Sequence, residues 1–264
     1  MSNKDFQNGF IAGAVSGGVV EVEDTTKMDA LEDLIDNSGV LEDTEGSVSE
    51  KVEELIEKIQ STNIPPNASV VFDYHTDGDY VGEVKKITIN RSTAIPSYMF
   101  SDNKTPNKYY NYVEEVELND EITEIGELAF GRMASLKKVK LPSLVIKIDS
   151  AAFTSSALEE LLLPETLQTI GGYCFESGRF ESLVFPKALR TIGSASFQNC
   201  GSLKAVYFKG TPTSIASNSF PNRFSLTDIY CPWEEGAVAN APWGATIATI
   251  HYNWVEGEEA NADS

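Results

Sequence analysis

Five copies of one short pattern constrain this chain more than any other feature: EIGELAF (124–130), KIDSAAF (147–153), TIGGYCF (169–175), TIGSASF (191–197) and SIASNSF (214–220). Their isoleucines stand at 125, 148, 170, 192 and 215, a period of 22 to 23 residues. A fixed period in that range marks a solenoid, in which each unit buries its apolar face on its neighbours. Between the copies runs a second element, with inward residues spaced apolar-x-x-apolar-x-apolar. The rungs it predicts are Val84/Ile87/Ile89, Val113/Val116/Leu118, Leu136/Val139/Leu141, Leu158/Leu161/Leu163, Phe180/Leu183/Phe185, Leu203/Val206/Phe208 and Leu226/Ile229/Cys231. Four of them run straight into proline (Pro142, Pro164, Pro186, Pro232), which has no N–H for the ladder and ends a strand.

The register can be tested by charge. The two residues after the first inward position should lie side by side on neighbouring strands. They read Lys-Lys (85–86), Glu-Glu (114–115), Lys-Lys (137–138), Glu-Glu (159–160), Glu-Ser (181–182), Lys-Ala (204–205) and Thr-Asp (227–228). Opposite charges alternate through the first four rungs, as paired strands favour. The expected fold is a solenoid of parallel β rungs over 68–230, preceded by a β-hairpin, VVFDYH-TDGD-YVGEVKKITI, with Asp77-Gly78 in its turn.

Several stretches invite a catalytic or metal reading. The glycines and cysteine of TIGGYCF resemble a phosphate loop or a reactive thiol until set beside their relatives. Cys174 then aligns with Ala129, Ala152, Ser196 and Ser219, a column that asks for a small buried side chain. Cys231 aligns with inward leucines and phenylalanines, and Cys200 sits in a turn between coils. Three cysteines without a CxxC pair indicate neither a disulfide framework nor a zinc site. The run Asp73, His75, Asp77, Gly78, Asp79 imitates a calcium loop, but its twelfth position is Val84 where a bidentate glutamate is needed. With His75 and His251 the only histidines and no GxSxG, HExxH or Walker-type loop, we expect no enzyme, no metal and no cofactor.

The chain has 264 residues and a net charge of −20, which disfavours nucleic acid and anionic membrane surfaces as partners. Residues 1–60 hold 15 Asp/Glu against 4 Lys/Arg, eleven of those net charges. The apolar run GFIAGAVSGGVV (9–20) is too short to span a bilayer. As a signal-peptide core it is poor, since only Lys4 precedes it, offset by Asp5. Gly9, Gly13 and Gly17 lie four apart and form either one smooth helical face or a flexible lead-in. Two helices are expected next, opened by capping-box spacings at Thr26–Asp29 and Ser47–Glu50. Their apolar stripes are Met28, Leu31, Ile35 and Val48, Val52, Leu55, Ile56, Ile59. Such narrow stripes need partners, so residues 1–63 read as an anchoring and oligomerisation segment, with Phe6, Phe10 and Ile11 at its head, and STNIPPN (61–67) as a stiff linker. Residues 231–253, with Trp233 and Trp243, read as a cap over the last rung, and 254–264 as a disordered acidic tail.

The unit L-x-x-[LV]-x-L-P-x-x-[LV]-x-x-I-G-x-x-A-F-x-x-x-x-x-L resembles the BspA-type (Treponema-type) leucine-rich repeat. LLLPETLQTIGGYCFESGRFESLVFPKALRTIGSASFQNCGSLKAV matches it almost position for position, and the likeness covers roughly 110–232, with a degenerate rung at 84–100. The resemblance implies a leucine-rich-repeat solenoid and fits a bacterial surface adhesin. The ends resemble something else. FQNGFIAGAVSGG, LEDLIDNSGVLEDTEGSVSEKVEELIEKI and the CPW…APWGAT…IHYN ending are similar to segments of virion structural proteins in phages of gut bacteria. That implies a fibre or appendage whose first 60 residues dock on other virion proteins and form a homo-oligomer, a trimer being favoured.

Binding surfaces follow from the register. The outward residue between the last two inward ones reads Thr88, Glu117, Lys140, Leu162, Val184, Tyr207 and Tyr230. The last four form an apolar strip that either contacts a host-surface protein or glycan, or is covered by the cap or the N-terminal segment. The insertion SDNKTPNKYYNY (101–112) presents Tyr109 and Tyr110 as a second candidate. The expected function is therefore adhesion from a virion surface; a secreted or cell-surface adhesin is the alternative, and a glycan-cleaving virion enzyme a more distant one.

Overall fold

The computed structural model describes residues 20–22, 69–75, 78–80, 83–90, 93–101, 110–221 and 225–256. Its strands are β1 (Val20–Val22), β2 (Ser69–Tyr74), β3 (Val84–Asn90), β4 (Ala94–Ile95), β5 (Glu115–Leu118), β6 (Glu124–Ile125), β7 (Lys138–Lys140), β8 (Lys147–Ile148), β9 (Thr169–Ile170), β10 (Ser182–Phe185), β11 (Thr191–Ile192), β12 (Ala205–Phe208), β13 (Ser214–Ile215), β14 (Asp228–Tyr230) and β15 (Thr249–His251). They form three sheets, ordered β1-β2-β3-β5-β7, β10-β12-β14-β15 and β13-β11-β9-β8-β6-β4. Pairing is antiparallel where β2 meets β1 and β3, and parallel between all later strands. The isoleucine of each repeated heptapeptide lies beside the next, Ile95↔Ile125↔Ile148↔Ile170↔Ile192↔Ile215. The described residues from β3 onward form a stack of coils of the expected solenoid class.

What fills the stack is the phenylalanine that closes each heptapeptide. Phe100, Phe130, Phe153, Phe175, Phe197 and Phe220 are buried. Each ring stacks on the next at 5.0 to 5.8 Å between centroids, with planes 3 to 19° apart. That separation follows the rise of one strand spacing per coil, about 4.8 Å, and each such pair adds roughly 0.5–1.5 kcal/mol beyond its burial. The same residues bind the coils by hydrogen bonds. Phe130 N–H donates to Ala152, Phe153 to Cys174, Phe175 to Ser196 and Phe197 to Ser219, all at 2.9–3.0 Å. The small column beside the rings is buried as the alignment required, and its hydroxyls are satisfied: Ser196 Oγ lies 2.7 Å from the carbonyls of Gly171 and Gly193.

Close approach of the coils explains the Ile-Gly pair. A Cβ on Gly171 would come within 2.5 Å of the Asp149 carbonyl carbon in the preceding coil, and one on Gly193 within 2.5 Å of Gly172 N. Gly172 is different, since its Cβ would reach Ser194 O at 3.0 Å. Three residues after the isoleucine the turn is made by a residue in the left-handed region, Leu128, Ala151, Tyr173 and Ala195, at φ 53–55°. Holding a side chain there costs about 1–2 kcal/mol per residue, which the packing on either side offsets.

Three expectations need correction, and that of the hairpin a refinement. The rung Leu158/Leu161/Leu163 is no strand; only the isolated bridge Lys138↔Glu160 joins it to β7, so the outer sheet is interrupted there. The interruption coincides with the two coils in which five residues rather than six carry the chain from the phenylalanine to the next inward position, Phe153 to Leu158 and Phe175 to Phe180. The hairpin exists, but its connection spans 75–83 with a short 3-10 turn at Gly78–Tyr80, closed by His75 N–H donating to Glu83 O at 2.9 Å. Residues 20–22, assigned to the N-terminal segment, pair as an edge strand with β2 in the register Val20↔Phe72. The C-terminal end also goes further than expected. β15 adds a rung with Ile250 beside Ile229, and Trp254 N–H donates to Cys231 O at 2.9 Å, so 254–256 belong to the cap rather than a tail. Trp233 and Trp243 are buried in that cap and face each other edge to face. The two helices, the linker and residues 257–264 lie outside the described residues.

Gly171→Ala should therefore destabilise the fold by about 1–3 kcal/mol, the usual cost of forcing atoms into a packed interior. Gly172→Ala should cost clearly less. Urea denaturation of the two variants measures the difference.

Candidate interaction surface

The outer sheet carries the surface, because its outward residues fall into columns held by strand register. Lys86, Glu115 and Lys138 are aligned, as are Thr88, Glu117 and Lys140. Lys138 is bridged to Glu160, and Glu159 N–H donates to Lys137 O at 3.0 Å, which continues both charged columns into the fourth rung. Ion pairs run along them: Lys86 Nζ is 2.7 Å from Glu117 and 3.9 Å from Glu115, and Lys138 Nζ is 3.3 Å from Glu115. The hydrogen bond from Lys86 holds the Glu117 carboxyl below the usual carboxylate range, and the same bond raises Lys86. A shallow open cleft of about 460 Å³ lies on this face, lined by Asp73, Lys85, Lys86, Glu114, Glu115, Lys137 and Lys138.

Beyond the fourth rung the face turns apolar, but only half of the expected strip is available. Leu162 is 86% exposed and Val184 46%. Val184 aligns with Tyr207, Tyr207 with Tyr230, and Tyr230 with His251. The last three rings stack at 4.6 and 4.4 Å, and Trp254 packs across both tyrosines at 5.5 and 5.8 Å. Tyr230 is buried as a result. His251 is engaged on its other side, Nε2 standing 2.9 Å from Asp228 Oδ1. Lys209 adds a clamp, 3.2 Å from both Glu165 and Glu256. Of the four strip residues, Leu162 and Val184 are free surface, Tyr207 is half-covered, and Tyr230 is cap packing. Trp254 was missed because it stands among acidic residues that read as a tail.

Tyr110 is also a correction. Instead of standing on a loop it is buried at the head of the core, stacked on Phe72 at 6.2 Å and edge-on to Phe100 at 5.3 Å. Tyr109 and the anchoring set from Phe6 to Ile59 lie outside the described residues. Of the calcium-like run, His75 is turned inward, its Nε2 3.2 Å from Tyr112 O, and Tyr80 stacks on Tyr112 at 4.3 Å. Among the described residues no three His, Cys, Asp or Glu side chains gather as a metal site, and no helix is long and apolar enough to cross a membrane.

The cysteines are interior. All three are free and buried, and desolvation pushes Cys174 well above the ordinary thiol value and Cys200 and Cys231 to about 12. On the far side of the stack, Lys147 hydrogen-bonds Asp149 at 2.7 Å and holds its carboxyl low.

These features define the class: a parallel leucine-rich-repeat solenoid. Comparison with known proteins specifies the repeat. Residues 107–227 match the BspA type leucine rich repeat region in six copies. No curated protein matches the chain significantly. Among solved structures, the pneumococcal vaccine antigen PcpA is similar over 70% of this chain and 46% of its own length, at 19% identity and a TM-score of 0.50. A leucine rich repeat protein of T. pallidum matches at 20% identity, covering 70% of this chain and 80% of that one, with a TM-score of 0.43. A leucine rich cell surface protein of Faecalibacterium prausnitzii matches at 21% identity over 70% and 53%, with a TM-score of 0.47. The chain thus spans about half the length of the first and third, and at these identities the likeness is one of fold.

Two measurements check the chemistry of this surface and its interior. The folded chain should not react with a thiol reagent at pH 8, and all three cysteines should react after denaturation. The acid limb of stability has a defined sign. The folded-state values of Glu117 and Asp149 are depressed, so what they contribute is fully present above the ordinary carboxylate range and lost as pH falls through the folded values. Thermal stability should hold from pH 7 to about 5 and decline below about 4, with a shallower decline in Glu117→Gln.

Proposed function

We propose that the chain is a non-enzymatic adhesion module, in which the solenoid presents its outer sheet to a host-surface protein or glycan while residues 1–63 anchor and oligomerise it, as a trimer. The observation that carries this reading is the exposure of two apolar side chains at the same position of consecutive coils, Leu162 in the extended segment that follows the bridge at Glu160 and Val184 on β10. Exposed apolar side chains held on a rigid scaffold are characteristic of contact sites. A catalytic alternative is disfavoured by the state of the groups it would need. The thiols are sequestered, and each histidine is committed to a partner within the fold.

Where the module is displayed has two readings. The likeness of the terminal segments to virion proteins of gut phages supports a fibre or appendage, with residues 1–60 docking on other virion proteins. The repeat type supports the rival, a bacterial cell-surface or secreted adhesin, since BspA-type regions are typical of surface proteins. Mass spectrometry of purified phage particles and of cell envelopes separates them. The virion reading expects the chain in particles, and deletion of residues 1–25 should abolish its incorporation; recovery in the envelope alone would replace it with the rival.

The binding face has its own test. Leu162→Asp with Val184→Asp should lower binding of the labelled full chain to whole cells about tenfold, the loss expected when an apolar anchor becomes charged. Circular dichroism should stay unchanged. Normal binding by that variant would remove the strip from the site.

A further inference from the structure

The charged rows of the outer sheet form a pattern that is complementary to itself, and from it we infer that this face pairs with the same face of a second copy of the chain. The rows run Lys85-Lys86, then Glu114-Glu115 with Glu117, then Lys137-Lys138 with Lys140, then Glu159-Glu160. Five lysines meet five glutamates, and Asp73 beside Lys86 adds one negative charge, so the patch is close to neutral within a chain of net charge −20. It is a region where two copies can approach without the repulsion that the rest of the surface imposes. All ten side chains reach solvent.

Symmetry selects the arrangement. Two copies facing each other about a two-fold axis along the stack would set every row against itself, plus on plus and minus on minus. An axis parallel to the strands, midway between the second and third rows, reverses the order instead. The first row then faces the partner copy's fourth, and the second its third. Because the alternation has an even number of rows, every charge meets its opposite: Lys85 faces Glu159, Lys86 faces Glu160, Glu114 faces Lys137, Glu115 faces Lys138 and Glu117 faces Lys140. The remaining column position sets Thr88 opposite Leu162, and neither carries charge. Such an isologous contact is the commonest closed symmetry of soluble proteins.

The patch is about four strand spacings high and four residues wide, on the order of 300–400 Å² per copy. Two such faces fall short of the roughly 1,000 Å² of a stable interface. The pairing is therefore weak between free chains and grows where many copies share one surface, because each contact raises the effective concentration of the next. It operates between displayed copies and rests on the charged rows rather than on the apolar strip, although a paired face would also cover Leu162 at its edge.

Net-neutral row swaps test it in the full chain. Swapping rows two and three (Glu114→Lys, Glu115→Lys, Lys137→Glu, Lys138→Glu) keeps opposite rows facing each other across the two-fold. Swapping rows three and four (Lys137→Glu, Lys138→Glu, Glu159→Lys, Glu160→Lys) sets like on like. Both change four charges and leave the net charge alone, and any association through residues 1–63 is common to both. Sedimentation equilibrium at roughly 0.3 mM, where interfaces this small become populated, should show the first variant self-associating within about threefold of the unaltered chain. The second should be weaker by at least about tenfold, given the cost of juxtaposed like charges. A Lys85→Cys/Glu159→Cys variant supplies an independent readout. The two positions are three strands apart within a chain, about 14 Å, beyond disulfide reach, so oxidation should link different chains. Self-association of the second variant equal to the first, or oxidised Lys85→Cys/Glu159→Cys that stays monomeric, would overturn the proposal.

Discussion

Everything in this protein depends on one coil lying one strand spacing above the next. The stacked phenylalanines Phe100 to Phe220 enforce that spacing from inside, and the N–H groups of the same residues tie each coil to its successor. Where glycine follows the repeated isoleucine, at Gly126, Gly171 and Gly193, the backbones of neighbouring coils come too close for a Cβ. Nearest-neighbour contacts of this kind make stability a sum over adjacent coils, so the ends need special treatment. Both ends receive it. Tyr110 and Phe72 close the first coil, and Trp233, Trp243 and Trp254 close the last.

A rigid stack turns sequence period into surface pattern. A side chain that points outward at one position of the repeat stands directly above its counterpart in the next coil, so columns of charge, apolar area or aromatic rings are written by the repeat itself. The lysine and glutamate rows of the first four rungs show this plainly, as does the Tyr207, Tyr230, His251 stack of the last three. Adhesion proteins profit from such an arrangement because contacts are placed without ordering any loop, and little conformational entropy is lost on binding.

Much of this was legible before any coordinates. Period alone located the inward rungs and the buried column of Ala129, Ala152, Cys174, Ser196 and Ser219, because both are properties of every coil. What period could not reveal are events that happen once. The hydrophobic pattern LEELLLP looks like the strongest rung, yet the sheet is interrupted there, and the hint lay in a connection one residue shorter. Tyr110 stands in an insertion and reads as loop, but it packs as core between Phe72 of the hairpin and Phe100. Tyr230 obeys the outward pattern and is nonetheless buried, because Trp254 folds back from residues whose composition says tail. The extended residues Val20–Val22 were hidden in an apolar run for the complementary reason, since an edge strand of three residues leaves no period at all.

The central claim is that the coils form one cooperative stack that fixes the outward columns in register. Residue-resolved hydrogen exchange tests it most directly, on the amides of Phe130, Phe153, Phe175 and Phe197 that donate from coil to coil. These four should exchange together in one slow class, orders of magnitude behind the exposed turns. If they exchanged as fast as the turns, or each at an unrelated rate, the stack would not be the unit that holds the surface in place.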